Sequence, residues 1–488
     1  MIRPSFEDAK KFLKDYTIVP VCSEFFADIR TSVEILKIFM AENKKCYLLE
    51  SVENGENWGR YSFLGCDPKL TVKYNNNKVF INNGKKDEIV TRNPIKILRD
   101  IISEYKSPQI EYMPPFTGGL AGYFSYDFIK YSEKSLNLLN SNDENFDDFY
   151  LMLFDVVIAF DHFKQKIFII VNVPVKNFEE EFKKAEAKIK EMEYLIRNGG
   201  TKKEQKSELK SGFKMLHNKR EFINMVERIK NHVREGDIFQ AVISNRAEAD
   251  FNGSLMQTYR VLRTTNPSPY MFYFNFGDIE IAGASPETLV TLKNKKLTSC
   301  ALAGTCRRGI DASEEETLIS QLLGDEKELS EHNMLVDLER NDLGKISKFG
   351  SVKVVEYMKI LKFSHVSHIA SVINSTIKDG YDHFDALLAV LPAGTLSGAP
   401  KKRACEIINY LEKHKRGTYG GAIGYIDFAG NMDMCIAIRM AKLQNGKVYV
   451  QSGAGIVADS DPEKEYNECS QKAQVIINAL QIAHKEGM

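Results

Sequence analysis

The sequence has no net charge: 66 Lys and Arg residues balance 66 Asp and Glu residues over 488 positions. A balanced chain has no global field for capturing polyanions, so no nucleic acid and no membrane partner is expected. No stretch approaches the ~20 apolar residues of a bilayer span, and the opening MIRPSFEDAKKF lacks the apolar core of a signal peptide. The eight cysteines form no Cys-x-x-Cys, and Cys46 and Cys435 lie inside apolar, strand-like runs. That usage fits a reduced, cytoplasmic protein. Internal repeats and low-complexity tracts are missing too. So is any Gly-rich elbow around a cysteine with a downstream His-Glu pair, which excludes a built-in glutaminase of that type. What is present is 43% hydrophobic residues in a chain long enough for two domains or one large composite.

Residues 195–215 join the Gly199-Gly200 break to a Lys/Glu/Ser-rich stretch and read as a linker. It divides the chain into residues 1–200 and 216–488. Before it, CYLLESV, RYSFLG, LTVKY, KVFINN, YLMLFDVVIAF and KIFIIVNV read as strands between Asn/Gly/Asp turns. Helices there are expected chiefly near 31–42 and 176–196. Beyond the linker, Phe222, Met225, Val226, Ile229 and Val233 repeat at helical spacing between a candidate N-cap, Asn218, and Gly236. IFQAVISN, YMFYFNF, IEIAGAS and TLVTLKN follow as strands, helices resume near 313, and a last helix covers about 463–484. The pattern is that of a large α+β protein with layered sheets and outer helices.

Two Glu-x-x-Glu pairs, Glu328/Glu331 followed by His332, and Glu465/Glu468, lie in helical segments. Residues three apart share a helical face. If the two faces met, four carboxylates would need raised pKa values or a cation, and an all-oxygen site suits Mg²⁺. If they do not meet, both are solvated faces. Around them stand Gly-containing loops: GASPET (283–288), AGTCRRG (303–309), PAGTLSGAPKKRA (392–404), GTYGGAIGY (417–425) and QSGAG (451–455). Glycine lets backbone N–H groups approach an anion. With Arg307, Arg308 and Arg439, these loops suggest a pocket for a multiply anionic small molecule with a metal.

The stretches GDIFQAVISNR (236–246), NPSPYMFYF (266–274), GASPETL (283–289), ALAGT (301–305), DEKELSEHNMLVDLERNDLG (325–344), SHVSHIAS (364–371), GTLSGAPK (394–401), YGGAIGY (419–425) and QSGAGIVADSDPEKEYNE (451–468) resemble, in order, those of the chorismate-utilising enzymes. The whole chain is similar to the large subunits of anthranilate synthase within that family. The resemblance implies a two-part α+β fold of layered antiparallel sheets, with a β-rich regulatory part (1–200) and a chorismate-binding catalytic part (216–488). It implies Mg²⁺ held by Glu331 and Glu468, with Glu328 and Glu465 in support. By the same resemblance, Glu287 is the general acid for the departing C4 hydroxyl, and His368 stands near that leaving group, with His365 a second candidate. Tyr419, Arg439 and Gly455 match positions at the enolpyruvyl carboxylate, Gly304 and Thr305 those at the ring carboxylate, and Thr395 and Gly453 complete the substrate-binding set.

Two positions separate the branches of the family. Water-adding relatives carry a lysine where this chain has Gln240, and relatives that aminate C4 commonly carry a nucleophilic lysine where it has Ala303. Gln240 is no base at neutral pH and Ala303 is no nucleophile. Attack of ammonia at C2, followed by pyruvate loss to anthranilate, is the expected outcome. An aminodeoxychorismate synthase and a non-catalytic amino-acid-binding protein are the alternatives. Glu50, Ser51, Pro269, Tyr270, Met271 and Cys435 match the family's pocket for L-tryptophan as feedback inhibitor, and ammonia is expected from solution or from a glutamine amidotransferase subunit in a heteromer. Cys300, Cys306 and Glu339 depart from the family pattern without removing a proposed catalytic group.

Overall fold

Apolar runs broken by short Asn/Gly turns favour antiparallel neighbours, because parallel pairs need long crossovers. The computed structural model, which describes residues 2–42, 45–51, 59–133, 135–136, 138, 141–142, 144–202, 206–362 and 366–485, pairs its long ladders that way. His365 and residues 203–205 of the expected linker lie outside the described residues. Among the described residues the strands form two sheets, of fourteen and eleven strands.

The first sheet runs from Ile18–Phe26 through Lys166–Pro174, Val156–Asp161, Tyr61–Cys66 and Cys46–Glu50. It continues into Tyr270–Asn275, Ile279–Ser285, Met440–Gln444, Lys447–Ile456 and Gln240–Asn252. The second runs from Lys353–Lys362 through Val366–Thr376, Lys296–Arg307, Thr288–Lys293, Met432–Ile436 and Ala422–Asp427. It ends on Gly119–Phe124, Phe149–Phe154 and Leu70–Asn75 with its hairpin neighbours. Each sheet draws strands from both sides of 195–215: Met271 opposes Glu50 in one, and Gly424 opposes Gly122 in the other. The segment at 195–215 divides the chain, not the sheets. A strand left at an edge exposes a row of unpaired backbone groups, and pairing across the halves covers those edges.

Between the sheets lies an aromatic layer. Tyr47, Phe63, Phe272 and Phe274 come from the first sheet and Tyr123, Phe154 and Tyr425 from the second. Tyr47 meets Phe154 with ring centroids 4.7 Å apart, and Phe63 meets Tyr425 at 5.7 Å. Such pairs add about 0.5–1.5 kcal/mol each beyond area burial.

Helices cover the outer faces. Phe178–Asn198 buries Phe178, Phe182, Ala185, Ile189, Met192 and Ile196, one helical stripe. Lys219–Arg234 is closed at its start by a capping box between Asn218 and Glu221. Pro462–Lys485 buries Cys469, Ala473, Ile476 and Leu480 and packs on the Lys447–Ile456 strand. Pro94–Ser103, which the apolar pattern alone did not single out, starts with Pro94 behind an Asn93 cap.

Candidate active site

The chain leaves the first sheet at Ser285 and enters the second at Thr288, so Glu287 stands where the two sheets meet. Its backbone is held at both ends: its N–H donates to Ser285 Oγ at 3.3 Å, and its carbonyl accepts from Ile436 N–H at 3.0 Å. Its side chain is only 8% exposed and accepts from Thr395 Oγ1 at 2.8 Å. Burial lifts the carboxyl to about 7, against the lowering effects of the Thr395 hydroxyl and the Lys472 charge. A carboxyl that keeps its proton near neutrality can donate it to a leaving group.

The Lys296–Arg307 strand slips register against Val366–Thr376 between Ala303 and Thr305. Gly304 takes up the slip with φ of +74°, a conformation that suits glycine. A Cβ there would sit 3.3 Å from Glu328 Oε2. The bulge brings Thr305 opposite His368, with Thr305 Oγ1 and His368 Nδ1 2.9 Å apart. Burial pushes the His368 pKa down, the Gly304 backbone opposes this, and the Arg439 cation pushes it down further.

Arg439, at φ +51°, is a strained non-glycine residue of the kind that clusters at functional sites. Burial lowers its pKa, while Tyr419 and the Glu468 charge raise it. Among the described residues no carboxylate forms an ion pair with it, which leaves its planar fork of donors for an anion. Buried Tyr419 lies alongside: its hydroxyl would be 3.0 Å from a Cβ at Gly453. At Gly455 a Cβ would fall 2.5 Å from Gln240 Nε2. The two glycines therefore let Tyr419 and Gln240 close onto the strand. Gln240 Nε2 donates to Glu331 Oε1 at 2.9 Å.

The helices that carry the two acidic pairs act on one another electrostatically. Glu328 is raised by burial first, then by the charges of Glu331, Asp325 and Glu468, the last from the other helix. Glu465 is raised by burial and by Glu468, against a hydrogen bond from Ser460. An oxygen-only donor set suits a hard divalent cation such as Mg²⁺, but among the described residues no three of these carboxylates have oxygens within 4.8 Å of one another, so an ion would have to draw them closer. Gln240 holds Glu331, and Lys472 holds Glu468 at 2.6 Å, so a cation would take over from these two partners. Among the described residues, the His/Cys/Asp/Glu trio with ligand atoms within 4.8 Å is His232, Glu235 and Asp237. There Arg403 already pairs with Asp237, which disfavours a cation. His332 is turned away into the fold, with Nε2 2.7 Å from Ser371 Oγ.

Lys472 is the residue that motif reading missed. Its Nζ donates to the Gly453 carbonyl at 3.3 Å, pairs with Glu468 and acts on Glu287. The signal available was its position four residues after Glu468 on one helix.

The expected inhibitor residues also gather. Buried Glu50 pairs with Arg263 at 2.8 Å, accepts from Tyr259 Oη at 2.6 Å and from Ser32 Oγ, and opposes Met271 in the sheet. Ser51 follows it directly, its hydroxyl buried with no partner among the described residues. Pro269 is buried and Tyr270 begins the strand carrying Met271. Buried Cys435 opposes Thr288, the residue after Glu287.

A family model described as chorismate binding enzyme matches residues 44–478. The anthranilate synthase component 1 of Acetivibrio thermocellus is 45% identical, over 99% of this chain and 99% of that one. Its counterpart from Aquifex aeolicus is 40% identical over 99% of this chain and 98% of its own. Among solved structures, anthranilate synthase component I from Streptococcus pneumoniae superposes with a TM-score of 0.75 at 37% identity, covering 87% of this chain and 93% of that chain. The menaquinone-specific isochorismate synthase of Escherichia coli shares the fold at a TM-score of 0.69 and 18% identity, over 98% and 99% of the two chains. With matches that run nearly end to end, the chain belongs to the chorismate-binding enzymes and, within them, to the anthranilate synthase component 1 proteins.

Proposed function

We propose that this chain converts chorismate to anthranilate: ammonia adds at C2, the C4 hydroxyl leaves, and pyruvate is then eliminated to give the aromatic ring. The observation that carries this reading is Glu287, a carboxyl buried at the crossover between the two sheets and lifted by that burial to about 7. Hydroxide is a poor leaving group, so departure from C4 requires the proton that Glu287 holds. The carboxylate left behind lies within the field of the Lys472 ammonium. His368, kept neutral by burial, stands on the leaving-group side. Arg439 and Tyr419 take the enolpyruvyl carboxylate, with Gly453 and Gly455 leaving room for it. Gly304 and Thr305 take the ring carboxylate at the bulge.

Glu331 and Glu468 would hold Mg²⁺, with Glu328 and Glu465 in support. When bound, the ion supplies positive charge that neutralises a substrate carboxylate. Gln240, a neutral amide donating to Glu331, offers no base to activate water, and Ala303 offers no amine. Both support ammonia attack at C2. We further infer a heteromer with a glutamine amidotransferase subunit as ammonia source, a cytoplasmic location, and feedback inhibition by L-tryptophan bound among Glu50, Ser51, Pro269, Tyr270, Met271 and Cys435. On this reading residues 1–200 are a regulatory part and 216–488 the catalytic part, a division of labour within shared sheets.

The test is incubation of the purified chain with chorismate, ammonium and Mg²⁺ while following anthranilate fluorescence, with and without EDTA. A Mg²⁺-dependent rise is expected. Accumulation of aminodeoxychorismate without pyruvate would reassign the branch, and no product under any condition would sink the proposal.

A further inference from the structure

Pro286 and Glu287 are all that separates a strand of the first sheet from a strand of the second. A two-residue crossover gives a catalytic carboxyl a precise place only if both of its ends are pinned. Tyr270 touches both. At the first end it opposes Ser285 in the ladder between Tyr270–Asn275 and Ile279–Ser285, and Ser285 Oγ in turn receives the Glu287 N–H. At the second end the Tyr270 hydroxyl lies 3.0 Å from Thr288 Oγ1 and donates to Asp433 Oδ1 at 3.1 Å. A phenol has one proton. With that proton on the Asp433 carboxylate, Thr288 must donate to Tyr270, so the hydroxyls run in a fixed order from Thr288 through Tyr270 to Asp433. Tyr270 belongs to the first sheet, and Thr288 and Asp433 to the second. One side chain thus bridges the sheets at the crossover that carries the acid.

We propose that Tyr270 is a positioning residue for Glu287, acting through Thr288, and that this clamp conveys occupancy of the inhibitor site proposed above to the reacting centre. The first half rests on Glu287 being the acid, and the second on tryptophan binding at Pro269 and Met271, the residues that flank Tyr270. A ligand that displaces the start of this strand draws the hydroxyl off Thr288 and frees the crossover. Thr395 from the 394–396 turn and Lys472 from the last helix act on Glu287, and Glu287 in turn acts on Glu339 of the Glu326–Gly344 helix and Cys300 of the Lys296–Arg307 strand. The groups around Asp433 are Tyr270, Lys293, Cys435 and Tyr425. Burial is the largest influence on both carboxyls.

The test uses the full chain with ammonium and Mg²⁺, comparing Tyr270→Phe, Thr288→Val and the double variant. Losing one hydrogen bond of the clamp should lower kcat roughly five- to tenfold, with the KM for chorismate within about twofold of the parent. Water admitted around Glu287 should move the alkaline limb of the rate profile down by about one pH unit. The double variant should be no slower than the worse single variant, because both remove the same contact. Tryptophan should still bind Tyr270→Phe by calorimetry but inhibit it less completely. A merely structural hydroxyl would lower Tm and leave the pH profile where it was. Unchanged kcat and pH profile, additive losses in the double variant, or full inhibition of Tyr270→Phe by bound tryptophan would overturn the proposal. If the parent chain fails to bind tryptophan, the inhibitor reading and the second half fall together, while the rate, pH and double-variant results still judge the clamp.

Discussion

Glu287→Gln should make the protein more stable at pH 8 while nearly abolishing its activity. The carboxyl ionises near 4.5 in an unfolded chain and near 7 in the folded one. Below pH 4.5 both states hold the proton and the group has no pH-dependent effect. Between those values the unfolded chain gives up its proton first, so stability falls as pH rises. Above about 7 the full cost, about 3 kcal/mol, has been incurred. Glutamine cannot ionise, yet its carbonyl oxygen can accept the Thr395 hydrogen bond that Glu287 accepts at 2.8 Å. The stability difference between variant and parent should therefore be near zero at pH 4.5 and grow to about 3 kcal/mol in the variant's favour by pH 8. Urea denaturation across that range measures it. Comparing the two proteins cancels other raised carboxyls such as Asp427 and Asp433. Anthranilate formation by the variant should drop by about 10²- to 10⁴-fold, and what remains should lose the alkaline limb near pH 7. Parallel stability curves for the two proteins, or a variant destabilised equally at every pH, would refute the claim that this carboxyl is held protonated by burial.

Three further outcomes follow from the geometry. Arg439→Met should raise the KM for chorismate by about 10- to 100-fold, the worth of one charge-assisted pair, with a smaller change in kcat, measured by initial rates at saturating Mg²⁺. Glu331→Gln and Glu468→Gln should each weaken Mg²⁺ activation by at least about tenfold while leaving Tm within a few degrees, read from Mg²⁺ titration of the rate and by calorimetry. Arg416→Met should destabilise by about 3–5 kcal/mol: its guanidinium is buried against Glu412 at 2.6 Å and also donates to the Leu396 and Val242 carbonyls. Among the described residues, Glu412 would keep only its bonds from Ser244, and chemical denaturation would report the loss.

Much of the local structure was written in side-chain order. Phe222, Met225, Val226 and Ile229 recur at helical spacing behind Asn218, and the helix forms where they say, with its capping box. Asn93-Pro94 was an equally good start signal for Pro94–Ser103, but a short helix between strands offers few periods to notice. The site was legible as motifs and not as places. Glu287 is one acidic residue among 66 until the resemblance marks it, and Lys472 stayed unmarked although it holds both Glu468 and the Gly453 carbonyl.

The sequence by itself determined the strands written as apolar runs, the helix capped by Asn218, the absence of net charge and the choice of Gln240 and Ala303, because these depend on residues near one another in the chain or on single side chains. Only the tertiary structure decided that strands from both halves share two sheets, that Glu328 feels the charge of Glu468, and that Glu287 sits buried at the crossover between sheets. A carboxyl's acidity is set by the solvent it loses and the charges brought near it, and neither exists until distant segments pack.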